Sequence, residues 1–173
     1  MTTHLEAPPN STTPVDDTRR IAALRFTARL LTGSFAGFLL GVLVLESSLR
    51  AADAATYTQV RTVELDRLDV LASVTLLPAL CLAAALAVTA YRSHRTWIPI
   101  AVAVALLAAV ALVSVTVNLP INAQQATWLE HGIPADWSTV RDRWQTAHMV
   151  RTAAAMVAFG LLLLPARPRL RAH

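Results

Sequence analysis

Arg141, Trp144, His148 and Arg151 follow one another at intervals of three, four and three residues, so a helix carries all four on one face. Tyr57, Arg61, Glu64 and Leu68 form a similar stripe earlier in the chain. Other polar residues stand next to apolar blocks: Glu46 after the first, Glu64, Asp66 and Asp69 before the second, Asn118 and Asn122 on either side of Pro120 after the third. Two readings stay open for the key pair. His148 is a hydrogen-bonded interfacial histidine or a base near neutral pH. Arg151 snorkels, or it pairs with Glu46 or Glu64, as a plain ion pair or as one that also holds a ligand. The asparagines read as hydrogen bonders at a helix terminus, since proline biases Leu119 away from the α region. Trp128, Trp137 and Trp144 read first as an interfacial aromatic belt.

Several chemistries are excluded. Cys81, the lone cysteine, removes disulfides, CxxC redox pairs and multi-thiolate metal or iron–sulfur sites. A transmembrane haem needs two core histidines, and His148 alone qualifies. There is no Glu-x-x-His pair, P-loop, Rossmann glycine motif or Gly-x-Ser-x-Gly elbow. No metal and no cofactor is therefore expected; a one-histidine site using Glu46 and Glu64 is the weak alternative.

The elements that position these residues follow from composition. Of 173 residues, 55% are hydrophobic and 15% charged, with mean hydropathy +0.49. Soluble domains carry about a quarter charged residues. The apolar residues lie in long blocks, and four approach the roughly 20 residues needed to cross a hydrocarbon core. They are about Phe26–Leu49, Leu71–Tyr91, Trp97–Asn118 and His148–Pro165. The fold class is all-α: an integral membrane four-helix bundle, up-down-up-down, with amphipathic external segments on or in the outer interface. The domain covers residues 26–166, behind a tail of residues 1–25 that is disordered for want of apolar side chains, and ahead of a basic tail, 167–173. Gly33, Gly37 and Gly41 repeat every fourth residue, giving a small-residue packing face. Cys81 reads as a buried small hydrophobe.

All fifteen basic residues are arginine. Arg19, Arg20, Arg25, Arg29, Arg92, Arg95, Arg167, Arg169 and Arg171 fall on one side of the predicted topology. Arg50, Arg61, Arg67, Arg141, Arg143 and Arg151 fall on the other, with most of the acids. The positive-inside rule then puts both termini and the Arg92–Arg95 loop in the cytoplasm of a multi-pass cell-membrane protein. Arg29 snorkels to the interface. The polar residues collect at the external end, and the lipid bilayer is the expected partner. A nucleic-acid partner needs a basic face on a soluble fold, and there is none. Abundant arginine and alanine suggest a GC-rich bacterial genome.

The last third of the chain carries Val115-Thr-Val-Asn118-Leu-Pro120-Ile-Asn122, then Trp128, then Pro134-Ala-Asp-Trp137, then Arg143-Trp144-x-x-x-His148-x-x-Arg151-Thr152. This pattern resembles the anthrone oxygenase-like family of small four-helix membrane proteins, over about Val115–Leu164; the first two helices agree in layout. The resemblance implies insertion of oxygen into a polyketide anthrone, a flat aromatic substrate, by dioxygen without metal or flavin. An anthrone C–H is acidic because its carbanion is an aromatic enolate, which can pass an electron to O2. On that reading His148 is the general base and Arg151 steadies the enolate oxygen. Asn118 and Asn122 orient substrate carbonyls, Trp144 stacks on the ring, and Glu46 or Glu64 holds His148 or Arg151. The competing reading is a non-enzymatic structural or small-molecule-binding membrane protein, in which the cluster locks the external loops. A transporter is least favoured, because mid-helix positions are apolar.

Overall fold

The computed structural model describes residues 14–165. Six α-helices follow in order: α1 (Pro14–Ser48), α2 (Ala54–Arg92), α3 (Ile98–Val113), α4 (Leu119–Ala126), α5 (Trp128–His131) and α6 (Trp137–Leu163). A 3-10 turn, Leu49–Ala51, joins α1 to α2, and a π turn, Ser114–Asn118, joins α3 to α4 without a break. Among the described residues there is no strand. Four stretches are long and apolar enough to cross a membrane, namely Thr18–Ala51, Ala54–Arg92, Ile98–Ala126 and Trp137–Leu163. The protein is a multi-pass membrane bundle. α1 packs on α2 and α6, and α3 packs on the same two helices, so the four long helices form a ring.

The helices outreach the expected segments. Starts expected at 26, 71 and 148 are corrected to 14, 54 and 137, and the third span ends at Ala126 instead of 118. The amphipathic stripes expected to lie on the interface are direct continuations of the spanning helices, because nothing in them interrupts helical pairing. At 39 residues, α2 is about 58 Å long. That is nearly twice a hydrocarbon core of about 30 Å, so one end stands well clear of it. Asp53 caps α2 by accepting the Thr56 N–H at 2.9 Å and its hydroxyl at 3.1 Å. Those bonds hold its carboxyl below the usual carboxylate range. Residues 14–25, expected in the disordered tail, are helical, with Ile21, Leu24 and Ala28 turned toward the bundle at helical spacing. Residues 1–13 and the basic tail lie outside the described residues.

Alanines with no exposed surface (Ala28, Ala36, Ala79, Ala83, Ala103, Ala155, Ala158) let the helices approach closely. The glycine repeat contributes at one position. A Cβ on Gly33 would meet the Phe159 ring at 2.8 Å, while Gly37 and Gly41 have nothing within 4 Å. Cys81 is exposed on the outer surface of α2, correcting its expected burial. Arg29 donates from Nε to the Leu162 carbonyl at 2.8 Å and so serves the C-terminal end of α6.

Candidate functional site

Arg61, on the extension of α2, organises the polar end. Its Nε donates to Gln125 Oε1 at 2.8 Å, one terminal nitrogen to Glu64 Oε2 at 2.7 Å, and the other to Asn122 Oδ1 at 2.6 Å. Glu46 Oε1 lies 3.2 Å from the nitrogen that serves Glu64. The guanidinium also sits 3.9 Å from the centre of the Trp144 ring. All these partners are buried. All but Glu64 hold further groups: Gln145 donates to Glu46, Gln125 to the Tyr57 hydroxyl, Trp144 Nε1 to Asn122 Oδ1, and Asn122 Nδ2 to both oxygens of Asp69, while Oε1 of Glu46 and of Glu64 has no hydrogen-bond partner. The result is a clasp from α1, α2, α4 and α6 in which the cation is matched on every side. Tyr57, Trp128 and Trp137 pack as a ring cluster above it. This corrects the aromatic belt, since Trp128 and Trp144 are buried and Trp137 half-buried.

His148 and Arg151 lie one turn further along α6 and are matched much less fully. His148 Nε2 is 2.9 Å from the Leu39 carbonyl, which can only accept, so Nε2 carries the proton and Nδ1 holds a lone pair. Arg151 points a terminal nitrogen at that Nδ1 across 3.4 Å, and its other terminal nitrogen at the Ser114 hydroxyl across 3.1 Å. Its Nε has no hydrogen-bond partner. Among the described residues no carboxylate lies within ion-pairing distance of Arg151; Asp69 acts on it from further away. The expected pairing with Glu46 or Glu64 is therefore corrected: both acids hold Arg61, and neither holds His148 or Arg151.

A small cavity of about 20 Å³ joins the two groups. Arg61, Glu64, Asp69, Trp144, His148 and Arg151 form its polar side, and Phe38, Val42, Leu65, Leu68 and Ala72, from α1 and α2, its apolar side. Of the seven expected site residues, Glu64, Trp144, His148 and Arg151 line it; Glu46, Asn118 and Asn122 do not. Asn122 has both ends of its amide engaged, which removes it as a substrate donor. Asn118 donates to the Trp144 carbonyl at 3.3 Å and leaves Oδ1 unmatched. Trp144 is not a free platform either, because its ring stacks on His148 at 4.8 Å and carries Arg61. Among the described residues no three His, Cys, Asp or Glu side chains are placed to hold a metal ion.

A family model described as anthrone oxygenase matches residues 70–161, more than half of the chain. The protein belongs to the anthrone oxygenase family. No curated protein and no solved structure matches it. The anthrone oxygenase match takes in Asn118, Asn122, Trp144, His148 and Arg151, and it extends the likeness back from Val115 through α3 and the apolar half of α2. It leaves out Glu46, Tyr57, Arg61, Glu64 and Asp69, so half of the clasp comes from outside the matched region. Arg61 and Gln125 are the site residues that sequence reasoning missed. Arg61 was visible in the Tyr57 stripe; Gln125 follows Asn118 and Asn122 at helical spacing, a signal hidden by ending the third helix at Asn118, ahead of Pro120.

Proposed function

We propose that the protein is an oxygenase of a flat aromatic ketone of the anthrone type, with dioxygen as co-substrate and no cofactor. The observation that carries this reading is His148 with Nε2 on the Leu39 carbonyl and Nδ1 facing Arg151, a buried guanidinium that no carboxylate contacts among the described residues. His148 Nδ1 takes a proton from the ring methylene, and the enolate oxygen is steadied by Arg151. The enolate passes one electron to O2, and the radical pair collapses to a C–O bond. The peroxide takes up the proton and then loses water with the second methylene hydrogen, breaking O–O and leaving a carbonyl. Anthrone and O2 thus become anthraquinone and water, one oxygen atom going to each product.

Cavity size bears on how the substrate meets these groups. A space of about 20 Å³ holds a molecule the size of water or dioxygen. Three fused rings dock instead at the apolar lip between α1 and α2, reached from the lipid, with Phe38 and Leu68 giving way. The test is oxygen uptake by purified, detergent-solubilised protein with a panel of anthrones, alongside elemental analysis of the same sample. His148→Ala is expected to lower turnover by about 100-fold or more while folded yield holds. The dense set of contacts around Arg61 favours a second reading, a structural lock without turnover. No uptake across the panel, with a large stability loss in His148→Ala, would decide for that lock.

A further inference from the structure

A second cavity, of about 360 Å³, lies at the opposite end of the bundle between the first turns of α1 and the last turns of α2. Ligand pockets begin at about this size. Arg25 on α1 and Arg95 in the α2–α3 turn both line it. Arg25 is half-buried, and the charges that bear on it, from Arg95 and Arg29, have its own sign. Among residues 18–165 every ion pair lies at the other end of the molecule. Small side chains on the facing helices, Ala22 and Ala90, leave the space open.

The turn that delivers Arg95 is strained. His94 has φ 50°, its N–H meets the Tyr91 carbonyl at 3.2 Å, and the Arg95 N–H meets the Ala90 carbonyl at 3.0 Å. This is a Schellman closure with histidine where glycine is the comfortable residue. It folds Arg95 back over the end of α2. Orienting a membrane protein needs positive charge at one end and neither a cavity nor a left-handed residue. Both features are left over once topology has been explained.

We propose that this cavity binds an anionic phospholipid with a polyol headgroup, of which phosphatidylglycerol is the simplest. Arg25 and Arg95 present forked donors to the phosphodiester from two sides, and the anion relieves their mutual repulsion. The hydroxyl groups in the wall refine the choice. Ser93 donates to the Thr89 carbonyl and Thr89 to the Ala85 carbonyl, each at 2.8 Å, so both oxygens are left as acceptors. They suit headgroup hydroxyls. A choline headgroup has none and brings a cation next to two arginines. Phe26 and Tyr91, both largely exposed beside the cavity, give the acyl chains an apolar surface.

The test is native mass spectrometry of delipidated, detergent-solubilised protein titrated with phosphatidylglycerol, phosphatidylcholine and phosphatidic acid, and with inorganic phosphate as competitor. Phosphatidylglycerol is expected to bind about tenfold or more tighter than phosphatidylcholine. The Arg25→Gln, Arg95→Gln double variant should lose that preference. Arg92→Gln, an exposed arginine of the same turn that does not line the cavity, should keep it. Ala22→Phe, which fills the cavity without touching its charges, should expel the lipid. Equal binding of the two lipids, an unaffected double variant or Ala22→Phe protein, or an Arg92→Gln variant as impaired as the double, would each overturn the site. Phosphatidic acid binding as tightly as phosphatidylglycerol would overturn the polyol assignment. Displacement of the lipid by equimolar inorganic phosphate would reassign the cavity to free phosphate.

Discussion

Two buried arginines one helical layer apart have opposite electrostatic situations. Removing Arg61 leaves Glu46 and Glu64 facing each other without a cation, together with the stranded Oε1 of Gln125; Asn122 keeps Trp144 and Asp69. Breaking a buried ion pair from one side costs about 3–5 kcal/mol, and Arg61→Ala is expected to lose at least that much in a detergent melt. Arg151→Ala strands no carboxylate and leaves Ser114 and His148 Nδ1 as the affected partners. Its cost should stay near the about 1–3 kcal/mol of an unmatched polar group, with turnover the larger loss. Equal destabilisation by the two variants would mean that Arg151 is part of the clasp. His148→Gln separates role from fold at the same scale. Its amide can donate to the Leu39 carbonyl but offers no basic nitrogen, so stability should hold while anthrone-dependent oxygen uptake falls to the His148→Ala level. Activity retained in His148→Gln would exclude His148 as base.

At the scale of elements, the π turn explains both what the sequence revealed and what it hid. The inward stripe of α3, Ala103, Leu107 and Val110, continues at helical spacing to Ser114, Val117, Ile121 and Gln124. The buried polar residues are Asn118, Asn122 and Gln125, one residue later, with Ile121 between them. A π turn inserts that residue and rotates α4 so that its amides face Arg61. Pro120, which lacks an N–H and crowds the carbonyl four residues back, is the local reason for the irregularity. Propensity alone reads the same proline as a terminus, hence the helix expected to stop at 118. Periodicity did expose the two stripes and the apolar spans, because burial follows spacing directly. Which acid takes which arginine depends on the relative rotation of four helices, and spacing along one helix does not contain it. The glycine repeat carries the same lesson in testable form. Gly33→Ala forces a methyl into the Phe159 ring and should cost about 1–3 kcal/mol. Gly37→Ala adds helix propensity in open space and should cost nothing. Matching losses in thermal melts would restore the continuous packing face.

For the whole molecule, the two ends of the bundle are chemically unlike, and that difference sets how it sits in a membrane. Apart from Asp16 and Asp17 at the start of α1, every described acid lies at or beyond Glu46, on the end that holds the clasp, whereas Arg19, Arg20, Arg25, Arg29, Arg92 and Arg95 gather at the other. Arginine near the ends of short loops is retained on the cytoplasmic side, so the arginine end should face inward and the clasp outward. Thiol labelling can read this directly, once the native Cys81 is replaced by alanine to clear the background. Both probe positions lie in exposed turns at opposite ends; His94 already holds φ 50°, and at Gly132, where φ 94° strains any side chain, the exposed turn must adjust to take the cysteine. In intact cells a membrane-impermeant maleimide should label Gly132→Cys and spare His94→Cys; permeabilisation should make His94→Cys reactive. The reverse pattern would place the clasp in the cytoplasm. The apolar lip between α1 and α2 would still open to lipid, because that lip depends on the bundle and not on its orientation. The anionic-lipid cavity would then draw from the outer leaflet.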